Sequence, residues 1–194
     1  MYEIHLTINQ PDSIERFKQC CKAIDIKPIV IATGNYDQVM TSSIYRGVDF
    51  MAEISRLQQH LEDGDFSVVR QKVEIMPQIV KHPNHLYYES HIRFKIPKER
   101  QGYVTEKLAL IERLCQRMGL HKSRNLFKVD DEFIYQMATY RTYTDTIWQF
   151  GSHIEDVKDY VVHVGLWYDK VELEECIYDT NEDIDKKRLE NKTI

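Results

Sequence analysis

The sequence is short of the residues that announce familiar chemistry. Its seven glycines are scattered, so it has no glycine-rich phosphate loop and no dinucleotide fingerprint, and no Ser/His/Asp pattern stands in for them. Four cysteines, Cys20, Cys21, Cys115 and Cys176, form no CxxC pair. Adjacent residues such as Cys20 and Cys21 suit neither a zinc site nor an ordinary disulfide, and a reducing, cytoplasmic setting is expected. Apolar runs of about 18 residues are missing, as is an apolar leader, so neither a membrane span nor secretion is expected. Charge of one sign is missing too. The 26 basic and 31 acidic residues leave a formal net charge of −5, which makes double-stranded nucleic acid a poor partner.

What is present is repetition. Tyr2-Glu3-Ile4-His5 returns as Tyr88-Glu89-Ser90-His91, an offset of 91 − 5 = 86 residues. Lys72-Val73-Glu74 is echoed by Lys170-Val171-Glu172, and Met40 by Met137. A duplication of this kind dictates architecture before any local feature does. It also offers a polar set twice, placed to face itself across a pseudo-twofold axis as a composite site.

Periodicity gives each half the same order of elements. The first reads as strand 2–8, helix 13–24, strand 27–32, a turn at Gly34-Asn35-Tyr36-Asp37, strand 38–45, helix 49–61 with Gly64 as stop, and strand 66–75. The second reads as strand 88–96, helix 104–118 stopped by Gly119, strands 121–129 and 133–143, helix 146–164 before Gly165, and strand 166–176. This is βαββαβ twice, an α+β chain of ferredoxin-like units. Residues 1–180 are expected to form one compact domain of two repeats, 1–76 and 87–180, joined by a proline-containing linker at 77–86. Together they make one antiparallel eight-stranded unit, able to close into a barrel, with its helices outside. Residues 181–194 form a charged tail.

Alternation in the strands divides apolar from polar residues. Ile4, Leu6 and Ile8 oppose Glu3, His5 and Thr7, and Ile92, Phe94 and Ile96 oppose Glu89, His91, Arg93 and Lys95. On the closing strands Val69, Val73 and Ile75 oppose Arg70, Lys72 and Glu74, while Trp167, Val171 and Leu173 oppose Tyr168, Lys170, Glu172 and Glu174. One reading is the wet side of an antiparallel sheet. The other is an enclosed cleft. There Arg70, Lys72, Arg93, Arg141 and Lys170 bind phosphate, Glu3, Glu74, Glu89 and Glu172 hold Mg2+ or Mn2+, and His5 and His91 act as general acid and base.

Two resemblances bear on this. The opening strand is similar to that of the CYTH or triphosphate-tunnel superfamily, whose hallmark there is ExExK; Glu3 matches its first Glu, with His5 and Thr7 at the next two positions. The second copy, Glu89-x-His91-x-Arg93, keeps the basic residue. The resemblance implies a closed eight-stranded barrel that binds polyphosphate with divalent metal. His5-Leu6-Thr7-Ile8 also resembles the H-x-T/S-x motif of the two-histidine phosphoesterases, although Arg93 takes the hydroxyl position in the second copy. That likeness implies metal-free cleavage of a cyclic or 2′-linked phosphate by paired histidines.

Other features weigh less. His82 and His85 have HxxH spacing in a loop without cysteines. Arg124 and Lys128 lie on a charged strand that suits a protected sheet edge as well as a phosphate. Tyr140 and Tyr143 suit packing as well as a nucleobase. The expected function is binding, with hydrolysis, of a nucleotide or other phosphorylated small molecule, without a membrane; a homo-oligomer is compatible with it. The alternative is a non-catalytic module that sequesters a ligand or acts as an interaction subunit.

Overall fold

The computed structural model describes residues 1–32, 37–98 and 101–184. The turn expected at Gly34-Asn35-Tyr36 and the tail beyond Ile184 lie outside these residues. The chain divides into two units, the first made of Met1–Met76, Asn84–Leu86 and the segment from Cys176 on, the second of Pro77–Pro83 and Tyr87–Glu175. The segment read as a linker is thus shared between them.

The first unit runs β1 (Tyr2–Ile8), α1 (Ile14–Ala23), β2 (Lys27–Ala32), β3 (Asp37–Tyr45), α2 (Phe50–Asp63), β4 (Val68–Ile75). Its strands lie antiparallel in the order β4-β1-β3-β2. The second runs β5 (Tyr87–Pro97), α3 (Gln101–Met118), β6 (His121–Asn125), β7 (Phe133–Thr142), α4 (Ile147–His163), β8 (Tyr168–Asp179) in the order β8-β5-β7-β6. The last four residues of β8 count with the first unit. The chain is therefore an α+β protein with βαββαβ twice. Among the described residues no helix is long and apolar enough to cross a membrane.

Local chemistry sets the helix limits. Ser13 and Asp49 cap α1 and α2 by accepting from the backbone N–H of Arg16 and Ala52, and Thr146 with Gln149 closes a full capping box on α4. All four helices stop alike. Asp25, Asp65, Gly119 and Gly165 take positive φ, and the next residue, Ile26, Phe66, Leu120 or Leu166, donates its N–H back to Cys21, Leu61, Cys115 or Val161 and packs inward. After α2 the helix stops at Gly64 as expected, the C-cap with φ −85°, and the left-handed residue is the next one, Asp65. Aspartate tolerates that conformation better than most residues.

Apolar faces meet where the alternation places them. Ile4, Leu6, Phe17, Cys21, Leu57, Leu61 and Val73 are fully buried in the first unit. Ile92, Phe94, Ile111, Leu114, Cys115, Val157 and Val161 form the corresponding core of the second. Two expectations need correction. The strand expected over 121–129 ends at Asn125, whose side chain accepts from Phe127 N–H and turns the chain. Trp167 and Leu173, placed on the core side of the last strand, are 64% and 39% exposed; Trp167 precedes β8, which begins at Tyr168, and Tyr168, placed on the polar side, packs on the core beside Val171, which lies there as expected.

Candidate functional site

Strand pairing gathers the first polar set. β1 lies beside β4 with Glu3 opposite Glu74 and His5 opposite Lys72, so a strand that alternates outward on each side delivers four ionisable groups to one patch. His5 Nε2 lies 3.1 Å from Glu74 Oε2 and 3.5 Å from Glu3 Oε1, and Lys72 Nζ lies 2.5 Å from Glu74 Oε1. The other ring nitrogen, Nδ1, points at the Thr41 carbonyl at 3.2 Å, and Ser42 Oγ donates to Glu3 at 2.7 Å. Glu74 is 1% exposed and Lys72 8%, so this patch is not the wet side of a sheet. Burial works against a charge on His5. The hydrogen bond to Glu74 and the fields of Glu74 and Glu3 outweigh it, together with the opposing Lys72, and hold the His5 pKa above its ordinary value.

The second unit builds the same core from different registers. β5 lies beside β7 with Glu89 opposite Arg141 and His91 opposite Thr139. His91 Nε2 lies 3.2 Å from Glu174 Oε2 and 3.9 Å from Glu89 Oε2, and Nδ1 lies 2.8 Å from Thr139 Oγ1. Arg141 donates to Glu89 Oε1 through both Nε (3.2 Å) and a terminal nitrogen (2.9 Å), and its guanidinium lies 4.2 Å from the centre of the Tyr87 ring. One ligand atom each from Glu89, His91 and Glu174 lies within 4.8 Å of the others; among the described residues this is the group so arranged to hold a metal ion.

The partner of Glu74 in the repeat is Glu174, and the expected Glu172 is displaced. The helix stops fix the alignment: Asp65 and Gly165 are separated by 165 − 65 = 100 residues, and 74 + 100 = 174. The Lys-Val-Glu match places Glu172 there with an offset of 98, two residues out of step. Two residues along a strand keep the face but move about 7 Å. Glu172 instead pairs with Lys170 on the surface, where the side chains are 36% and 48% exposed.

The remaining expected phosphate ligands are held by acids. Arg70 forms a two-pronged contact with Asp179 at 2.9 and 2.5 Å, with both side chains buried. Arg93 does the same with Asp169, at 2.8 Å on each prong, and lies over the Tyr135 ring. The hydrogen bonds from Arg93 hold the Asp169 carboxyl below the usual carboxylate range. Arg70, Arg93 and Lys170 thus each engage a carboxylate. Tyr140 packs on Phe150 and His153 and donates to Asp145. Cys21 is buried, and burial pushes its thiol up to about 12.

Sequence reasoning missed Glu174, Asp179, Asp169 and Thr139. Glu174 was legible as a member of the polar stripe. The other three become visible only when strands far apart in sequence are paired.

No family model matches the chain, and no curated protein matches it. Among solved structures, it is similar to a candidate monooxygenase from Fusobacterium nucleatum, with 9% identity over 93% of this chain and 94% of that one and a TM-score of 0.36. It is similar to the small subunit of acetolactate synthase from Thermotoga maritima, with 11% identity over 92% and 95% and a TM-score of 0.33. A heme-binding protein from Thermus thermophilus shares 8% over 90% of each chain, with a TM-score of 0.32. Likeness at this level says nothing of this chain's chemistry.

Proposed function

We propose that the second unit binds a divalent transition-metal ion through Glu89, His91 and Glu174, and that a phosphorylated small molecule, a nucleotide or polyphosphate among the candidates, is held and hydrolysed there. The observation that carries the proposal is the convergence of two carboxylates and an imidazole nitrogen within 4.8 Å. Mixed oxygen and nitrogen donors suit Mn2+ or Zn2+ better than Mg2+, which prefers oxygen and water. A bound metal would polarise a phosphoryl oxygen and lower the pKa of a bound water. The chain's own residues would anchor the ion, orient the imidazole and, through Arg141, keep Glu89 turned inward. The likeness of the opening strands to triphosphate-tunnel proteins agrees with a polyphosphate, although the cations expected to bind it engage carboxylates.

That engagement favours a second reading, in which the same centre sequesters an ion or a metal-bound ligand without turnover. Titration calorimetry with Mn2+ and Zn2+ tests the shared premise: about one ion is expected per chain, and Glu174→Gln should abolish uptake. A wild-type chain that takes up neither ion at millimolar concentration overturns both readings. Phosphate release from polyphosphate and nucleoside triphosphates by the loaded protein then separates enzyme from binder.

A further inference from the structure

The two imidazoles differ in what meets their second nitrogen. In the first unit Nδ1 of His5 faces a backbone carbonyl, Thr41 O at 3.2 Å, which can only accept. That hydrogen bond exists only with the proton on Nδ1. In the second unit Nδ1 of His91 faces a side-chain hydroxyl, Thr139 Oγ1 at 2.8 Å, which both donates and accepts. Thr139 is 3% exposed and stands directly across the ladder from His91, so its hydroxyl is fixed against the ring.

The consequence concerns which nitrogen carries the proton. Without metal, Nε2 lies 3.2 Å from Glu174 Oε2, and with the proton on Nε2 the Nδ1 atom accepts from the Thr139 hydroxyl. With a metal on Nε2 the proton belongs on Nδ1, and the same hydroxyl, turned about its C–O bond, accepts it. The imidazole therefore keeps a hydrogen bond in both states without moving. We infer that Thr139 is the positioning residue of the metal centre, a reversible hydroxyl partner that lets His91 exchange its Nε2 proton for a divalent ion. This rests on the reading of Glu89, His91 and Glu174 as metal ligands and adds the residue that sets the ligand tautomer.

The test uses Zn2+ and the full chain. Thr139→Val keeps shape and strand preference while deleting the hydroxyl, and should weaken Zn2+ about 10- to 100-fold, the usual scale for a lost outer partner of a ligating histidine. Thr139→Ser should restore the affinity, and circular dichroism should show all three proteins folded. In parallel, nitrogen-15 spectra of wild-type His91 should show Nε2–H without metal and Nδ1–H with Zn2+. Equal affinity in wild type and Thr139→Val, or a ring that keeps Nε2–H when Zn2+ is bound, overturns this inference and leaves the metal centre standing. A wild-type chain that takes up no Zn2+ overturns the metal centre and this inference with it. Should Thr139→Val fail to fold, the spectra and the Ser variant decide alone.

Discussion

Asp179→Ala should be among the most damaging single changes in this protein, although residue 179 lies close to the end of the described chain. Its carboxylate takes both prongs of the Arg70 guanidinium at 2.9 and 2.5 Å, and the two side chains are 0% and 3% exposed. Removing the acid takes from a buried guanidinium the carboxylate that both its prongs engage, a loss of about 3–5 kcal/mol, against at most about 1 kcal/mol for an exposed pair. At this chain length about 2–4 °C of melting temperature corresponds to 1 kcal/mol, so the midpoint should fall by roughly 6–20 °C. Urea unfolding followed by circular dichroism would measure the loss directly. The double variant Arg70→Met/Asp179→Leu, which replaces the pair by apolar groups, should recover most of it. A loss below about 1 kcal/mol for Asp179→Ala would refute the buried-pair reasoning and would return Arg70 to the pool of cations available to a ligand.

The first unit should carry a signature of its own in pH. The His5 pKa is raised above 6.5 by Glu74 and Glu3 despite burial, so its contribution to stability is fully present below that value and is lost as pH rises through the folded pKa. Denaturant midpoints of wild type should therefore fall relative to His5→Gln as the pH passes from 6 towards alkaline values, and parallel curves would show that His5 does not titrate as argued. The Cys21 thiol, pushed up to about 12 and buried, should resist an alkylating reagent in the native protein at pH 8 and react only after unfolding. Rapid native labelling at that position, located by mass spectrometry, would contradict its place in the core.

Local rules made much of this protein legible. Alternation in Tyr2–Ile8 and Tyr88–Ile96 separates core from polar residues, because side-chain direction in a strand depends only on position along it. Caps such as Ser13 and stops such as Gly119 and Gly165 are satisfied within a few residues of themselves. Together these determined the repeated βαββαβ order and the placing of His5 and His91 beside a carboxylate on the same strand. Tertiary structure alone decided which distant residues complete each site. Glu174 takes the place expected of Glu172 because it follows the turn at Gly165 at the distance at which Glu74 follows Asp65, whereas the Lys-Val-Glu match is two residues out of step with those turns. Arg70 is claimed by a carboxylate 109 residues away and Arg93 by one 76 residues away. A cation is free for a ligand only if no acid meets it after strands pair, and strand pairing joins residues whose separation along the chain leaves no local trace.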